Sequence, residues 1–527
     1  MKKILTVAVF CAAMIGFTSC NDFLGEEPKS SITDVAYYKT ADQIIANTNY
    51  LYRTGAPSFL SNMTGAYRGS SVSASEMLTG YFSNDFGGQE VDFDYANKLT
   101  RQNNTHAVCS KQSNDVWTTG YRVINIANSI IKYIDNVDME AKDQYRAEAK
   151  FFRALNYFYL VKMFGDVPMV TNPYEGVIEY PERTAKATIY ENVIIPDLKE
   201  ASEVLSANSF PGNGHRITKY VAEMVLADVY MMLGNYAEAS VVLQDVVKNS
   251  GASLTTNDDL GLNSAFNKLR TTDDLSEVIY SFEYDATISS NGNLPTHAFN
   301  GDAEKLFDTY SLWVNVFNVS NKFLNVYEAS DLRIQPNQFF HWEYTNPVTG
   351  ESMKFEEDGK SVACNWYWYD EKAVLETAVG TKDWNIYRYA EALLSAAEAI
   401  AQSQGVTSEA ANYLAQIKAR ANMDGKTVNE ISSDLQSLDK QSFIEECWKE
   451  RMRELPLEMK MWDMCVRTGK FPVISQTEKG KVQFVNLIGA TNGSGATFKE
   501  TDLAWPIPVE EIQRNPNLTQ NDGYARQ

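Results

Sequence analysis

Residues 217–248, ITKYVAEMVLADVYMMLGNYAEASVVLQDVVK, restrict the possible folds more than any other stretch. Ala222, Leu226, Ala227 and Tyr230 recur at helical spacing and share one face. Leu233-Gly234-Asn235-Tyr236 then makes a turn, and a second helix from Ala237 turns Ala239, Val242, Leu243 and Val246 inward. Such a pair has an apolar face that it cannot bury alone. Other pairs must stack on it to complete a continuous core.

Small residues at the helix crossing and a Leu-Gly-x-Tyr turn are the pattern of a tetratricopeptide helix pair. Residues 386–420, IYRYAEALLSAAEAIAQSQGVTSEAANYLAQIKAR, have the same build around Gly405. A further helix is predicted in Tyr145 to Pro168, where Phe152, Leu155, Tyr159 and Met163 line one face. Phe151, Phe158 and Leu160 widen that face, so this helix should be covered on more than one side. Gly165 suits its end, and Pro168 prevents its restart. A first helix is expected over about 40–53, and SFIEECWKERMRELPLEMKMWDMCVRTGKF sets Glu450, Arg451 and Glu454 around buried Trp448 and Trp462. EVIYSFEY, 277–284, alternates and is β-branched, which predicts a strand. The tail from Ala504, with three prolines and a glycine, is read as extended and packed across the helices.

The N-terminus reads as an export signal. Lys2 and Lys3 precede an apolar run from Ile4 to Phe17, then Thr18, Ser19 and Cys20. A basic start, a short apolar core and small residues before a cleavage point make a secretory signal over 1–19. The run is too short to span a bilayer, which takes about 20 residues. Cysteine directly after the small residues resembles a bacterial lipoprotein signal, in which Cys20 becomes the acylated first residue. Residues 20–34 are then a polar tether. Cys109, Cys364, Cys447 and Cys465 show no CxxC spacing and are expected as buried free thiols.

Two blocks lack periodicity. Residues 55–114 are dense in Gly, Ser, Asn and Asp, with single aromatics, and residues 283–384 mix Gly, Asn and Pro with many more. Long irregular segments within a compact domain are usually functional or disordered, and these aromatics favour function. A sugar presents a C–H face that aromatic rings can cover and hydroxyls that polar side chains can bind. Tyr81, Phe82, Asn84 and Asp85 supply that mixture in the first block; Phe340, Trp342, Tyr344 and Trp366 supply it in the second. The chain holds 29 Tyr, 25 Phe and 9 Trp, so core packing competes with recognition for each ring.

Catalytic equipment is missing. His106, His215, His297 and His341 form no HExxH pattern, and there is no GxSxG turn. Gly359-Lys360-Ser361 and Gly425-Lys426-Thr427 lack the earlier glycine of a phosphate loop; Lys354 and Arg420 stand there. A formal charge of -21 argues against nucleic acid as a partner. No cofactor or metal is implied. The expectation is a non-catalytic binding protein.

Five segments resemble one family along nearly the whole chain: Cys20 with DFLGEEP, AEAKFFRALNYFYLVKMFGDVP, YRYAEALLSAAEA, ERMRELPLEMKMWDM with RTGKF, and PIPVEEIQRNPNLTQNDGY. They look like the starch-utilisation outer-membrane lipoproteins, the SusD/RagB family. One departure is Glu458-Met459-Lys460-Met461, where the family has Glu-Gly and an Arg before the aromatic-Asp pair; Pro456 is also unusual. The resemblance implies a mainly α fold with about four tetratricopeptide-like helix pairs and an irregular lobe carrying the ligand site. The expected single domain spans 35–527, with scaffold at about 35–54, 115–250 and 385–470, and lobe at about 55–114 and 283–384. It also implies a lipid anchor in the bacterial outer membrane, facing outward, and a SusC-like TonB-dependent transporter that receives a captured oligosaccharide. The alternative is a lipid-anchored repeat protein that carries peptide or protein cargo to the same kind of transporter.

Overall fold

The computed structural model describes residues 37–56, 76–83, 95–100, 107–175, 180–287, 305–307, 317–357, 360–377 and 380–525. The signal with Cys20, the tether, Asn84 and Asp85 lie outside these residues, as do His106 and His297.

Helix follows helix through the first half: α1 (Ala41–Thr54), α2 (Ala107–Tyr133), α3 (Lys142–Phe164), α4 (Ile195–Val204), α5 (Lys219–Met232) and α6 (Tyr236–Asn249). Each packs on the next. Ahead of α4 the helix widens into a π turn, Tyr190–Ile194, just before Pro196, whose nitrogen cannot donate a helical hydrogen bond. The short helix α7 (Ala265–Thr271) leads to the lobe. Beyond the lobe, α8 (Tyr389–Gln404) packs on α6 and on α9 (Ser408–Ala421). Then α10 (Val428–Gln436) packs on α9, and α11 (Lys440–Glu454) on α8. The stacked pairs α2/α3, α5/α6 and α8/α9 make a mainly α, tetratricopeptide-like scaffold.

The predicted faces are the buried ones. Ala222, Leu226, Ala227 and Tyr230 of α5 are buried against Ala239, Leu243 and Val246 of α6, with Val242 half-buried. Gly405 ends α8 at φ +89°, a region that side chains with a Cβ avoid. Helix α3 is enclosed on nearly every side: Phe151, Phe152, Leu155, Phe158, Leu160 and Met163 are buried, and Tyr159 is half-buried. Its interior polar groups are matched, since Arg153 holds Asp197 at 2.7 Å and Glu148 pairs with Arg216.

Two readings need correction. Residues 386–388 do not begin a helix. They belong to strand β4 (Trp384–Arg388), which pairs antiparallel with β1 (Val278–Phe282). Every residue of both strands is buried, so the side chains give a continuous run with no solvent face. Nor does Arg451 serve Glu450 and Glu454. Arg451 pairs with Glu391, while Glu450 and Glu454 meet Arg333, at 2.7 and 2.9 Å. Arg388, fully buried at the end of β4, binds Glu277 at 2.8 Å, Glu454 at 2.6 Å and Glu458 at 2.8 Å. Arg420 also pairs with Glu277, at 2.6 Å, and with Glu454. Burial alone would raise the Glu277 pKa, but Arg420 and Arg388 outweigh it and hold it at about 2.

Pro456 has a visible effect. Helix α11 stops at Glu454, Met459 takes a positive φ of +59°, and α12 (Met461–Thr468) starts afresh. Its first N–H groups, of Met461 and Trp462, donate to the Glu76 carboxylate at 3.1 Å. Gly469 leads on into a hairpin of β5 (Lys470–Ile474) and β6 (Val482–Asn486). The tail crosses the end of α3, where the Trp505 N–H donates to the Met163 carbonyl at 2.7 Å. It carries one short helix, Val509–Arg514, that the prolines had concealed.

Burial drives the Glu76 pKa up to about 8 despite those two backbone bonds. In the unfolded chain the group titrates near its ordinary 4.5. A raised folded value means full stability below pH ~4.5 and progressive loss as pH rises towards ~8. Glu76→Gln keeps an acceptor without the charge. Urea denaturation should show it about 4 kcal/mol more stable than wild type near pH 8 and close to neutral near pH 4.

Candidate functional site

The lobe is built on an aromatic cluster around His341. A bend at Trp342 separates β2 (Phe340–His341) from β3 (Glu343–Thr345). Strand β2 pairs with Cys364–Asn365, and β3 pairs with Ser352–Lys354. Asn346 shapes the connecting turn, its Oδ1 accepting from Val348 N at 2.9 Å and Thr349 N at 3.1 Å. The His341 ring lies 4.0 Å from Tyr344 and 4.9 Å from Trp366, centre to centre. Among the described residues, neither of its buried nitrogens has a hydrogen-bond partner. Burial, helped by the nearby Arg270 charge, holds its pKa well below the usual imidazole value, so the ring is neutral.

Trp366 sits at the edge of this cluster. It stacks on Tyr369 at 4.3 Å with an interplanar angle of 9°. Its indole N–H donates to Asn267 Oδ1 at 2.9 Å, and the Arg270 guanidinium lies 4.8 Å from the ring centre. Arg270 in turn donates to the Tyr369 carbonyl at 2.8 Å. Helix α7 therefore fixes this corner: Ser264 Oγ caps it by accepting from Asn267 N, and Asn267 and Arg270 lie one turn apart.

The expected ligand residues separate into groups. Tyr344 is buried in the His341 cluster, while Tyr81, Phe82 and Phe340 are buried in the main core. Tyr81 stacks on Phe471 and donates its hydroxyl to the Pro472 carbonyl at 2.9 Å. Phe82 stacks on Phe317, and Phe340 packs edge-on against Tyr327. These four rings are buried and packed against other rings. Trp342 and Trp366 are half-buried and keep exposed surface. Tyr367 and Trp368 form a turn, and Trp368 stacks on Trp384 at 4.7 Å. Sequence reasoning missed Arg270 and Asn267, because nothing in AFNKLRT ties that helix to a tryptophan about a hundred positions away.

Cys364, Cys447 and Cys465 are buried free thiols. Among the described residues, no cluster of His, Cys, Asp or Glu could hold a metal ion, and no helix is long and apolar enough to cross a membrane.

Residues 364–524 match the model of the SusD family, and residues 22–231 match a second model described as starch-binding associating with outer membrane. The chain belongs to the SusD family. SusD-like protein P2 of Formosa agariphila is 26% identical over 551 residues, covering 99% of this chain and 100% of that one. The starch-binding protein SusD of Bacteroides thetaiotaomicron is 31% identical over 169 residues, 32% of this chain and 26% of its own. Among solved structures, a SusD superfamily protein from Parabacteroides distasonis superposes with a TM-score of 0.77 at 26% identity, covering 92% of this chain and 99% of that one. Surface glycan-binding protein A from Bacteroides thetaiotaomicron, solved with laminarihexaose, shares the fold with a TM-score of 0.68 at 16% identity, covering 92% of this chain and all of its own. The SusD-type scaffold accordingly accounts for the helix pairs, and the lobe between β1 and β4 is what it displays.

Proposed function

We propose that this SusD-family protein is a non-catalytic, lipid-anchored glycan-binding protein of the outer-membrane surface. It captures an oligosaccharide on the lobe and passes it to a SusC-like TonB-dependent transporter. The observation that carries the reading is the pair of partly open tryptophans, Trp342 and Trp366, in the irregular segment between β1 and β4 of a SusD fold. Trp366 is held rigid by Asn267 and by stacking on Tyr369. A pre-set aromatic face packs a sugar ring without first losing side-chain entropy. Relatives support the ligand class: the Bacteroides thetaiotaomicron protein is named as starch-binding, and one structural neighbour was solved with laminarihexaose. Acylation of Cys20 would supply the anchor.

The test is calorimetric titration of the acyl-free chain with a panel of plant and host oligosaccharides, laminarihexaose and maltohexaose among them. Saturable heat with at least one sugar is expected. Trp342→Ala should weaken that binding by about 1–3 kcal/mol, the span of a lost aromatic contact, with an unchanged melting temperature. Heat from no sugar in the panel would sink the glycan reading and favour peptide cargo.

A further inference from the structure

The helical scaffold carries a cavity of its own. It encloses about 530 Å³ where the C-terminal ends of α3 and α5 meet β4, α12 and residues 503–505. None of its lining residues falls within 317–377, so it is separate from Trp342 and Trp366. Its volume lies in the range of small-molecule sites, ~300–1,000 Å³.

The walls combine rings with hydrogen-bonding groups. Tyr159 and Tyr387 line it, backed by Trp384 and Trp462. The Tyr387 hydroxyl donates to Asp228 Oδ2 at 2.6 Å, and the Lys460 ammonium lies 4.4 Å from the Tyr387 ring centre. Two wall ammonium groups are already matched: Lys460 pairs with Glu391 at 3.0 Å, and Lys162 pairs with Asp463. Lys186, at the rim, is exposed. Half-buried Asp228 meets a hydroxyl on one oxygen, and burial, with the Glu391 charge, raises its pKa. Such a carboxyl can donate as well as accept.

These pairings select the ligand. An anion binding Lys460 would have to displace the fully buried Glu391 and leave a desolvated charge behind, a cost of several kcal/mol. A neutral ligand meets donors and acceptors as they stand. Ring faces beside mixed hydrogen-bonding groups suit a molecule with one apolar face and a rim of hydroxyls. We infer that this scaffold cavity binds a neutral mono- or disaccharide, with Asp228 and Lys460 binding its hydroxyls and Tyr159 and Tyr387 packing its ring.

Ligand-observed NMR of the acyl-free chain with maltose, laminaribiose and lactose tests this. Saturable binding of at least one disaccharide is expected, with Kd near ~1 mM. Two variants should each weaken it about tenfold or more: Asp228→Asn, which keeps the side-chain size, and Met232→Trp, which fills the cavity mouth. Trp342→Ala should leave it unchanged. Melting temperatures are measured first, and Asp228→Asn with Tyr387→Phe carries the test if Met232→Trp fails to fold. No binding of any of the three sugars overturns the inference. So does binding that survives the cavity variants, or binding lost only in Trp342→Ala, which would assign the sugar to the lobe. Failure of the lobe reading leaves this result standing, because hexasaccharide heat and disaccharide binding are disrupted by different variants.

Discussion

Arg388→Met is expected to cost about 3–5 kcal/mol of stability, the range for removing one partner of a buried ion pair. Arg388 is completely enclosed and serves Glu277, Glu454 and Glu458, while its guanidinium also donates to the Glu454 carbonyl at 2.6 Å. Glu277 and Glu454 keep Arg420 as a second cation. Among the described residues Glu458 pairs with no other guanidinium, and even in the wild type burial lifts its pKa to about 7 against the pull of Arg388. The pH dependence follows. Without Arg388 the Glu458 carboxyl can escape its buried charge only by binding a proton, so the deficit should be smaller near pH 5 than near pH 8. Urea denaturation at the two pH values measures both numbers, and Arg388→Met with Glu458→Gln should recover part of the loss. A deficit independent of pH would mean that lost packing, not stranded charge, dominates.

Gly80→Ala is the second large effect. Gly80 has φ +66°, and a Cβ there would stand 2.4 Å from the Ser494 nitrogen and 2.7 Å from that of Gly493. Both obstacles are backbone, and neither can rotate away. The contact closes a joint: Gly493 N donates to the Thr79 carbonyl at 2.9 Å, and Asn492 Nδ2 donates to Leu78 O at 2.9 Å and Asn97 O at 2.7 Å. We expect a loss of about 3 kcal/mol, with ~1–2 from the left-handed backbone and the remainder from forced separation of the two strands of chain. Gly493→Ala meets the Gly80 carbonyl oxygen at 2.3 Å across the same contact. The double variant should therefore lose much less than the sum of the two single losses. Additive losses would show that the sites do not share one joint.

The scaffold was legible in the amino-acid order because its information is local. Ala222, Leu226, Ala227 and Tyr230 announce a face within nine positions, and Gly405 marks where one helix must stop. The ion network was not legible, since Glu277, Arg333, Arg388, Arg420 and Glu454 are brought together only by the stack. The lobe failed for a different reason. A ring that packs fully and a ring that stays partly open are the same residue type, and only the fold leaves Trp342 half-buried where Phe340 and Tyr344 are buried. Arg270 and Asn267 left no trace at all, because their partner Trp366 reaches them through the fold.

The crossing of the tail over α3 bears on the order in which the molecule is made. Asn521 bonds the Phe164 carbonyl across 357 positions, and Arg183 bonds the Thr519 carbonyl across 336. Helix pairs close small loops and can assemble as the chain emerges, whereas this seam must wait until residues beyond 505 are available. A chain still emerging would thus hold finished repeats with one end of its central helix uncovered, a surface for chaperones to shield until synthesis is complete.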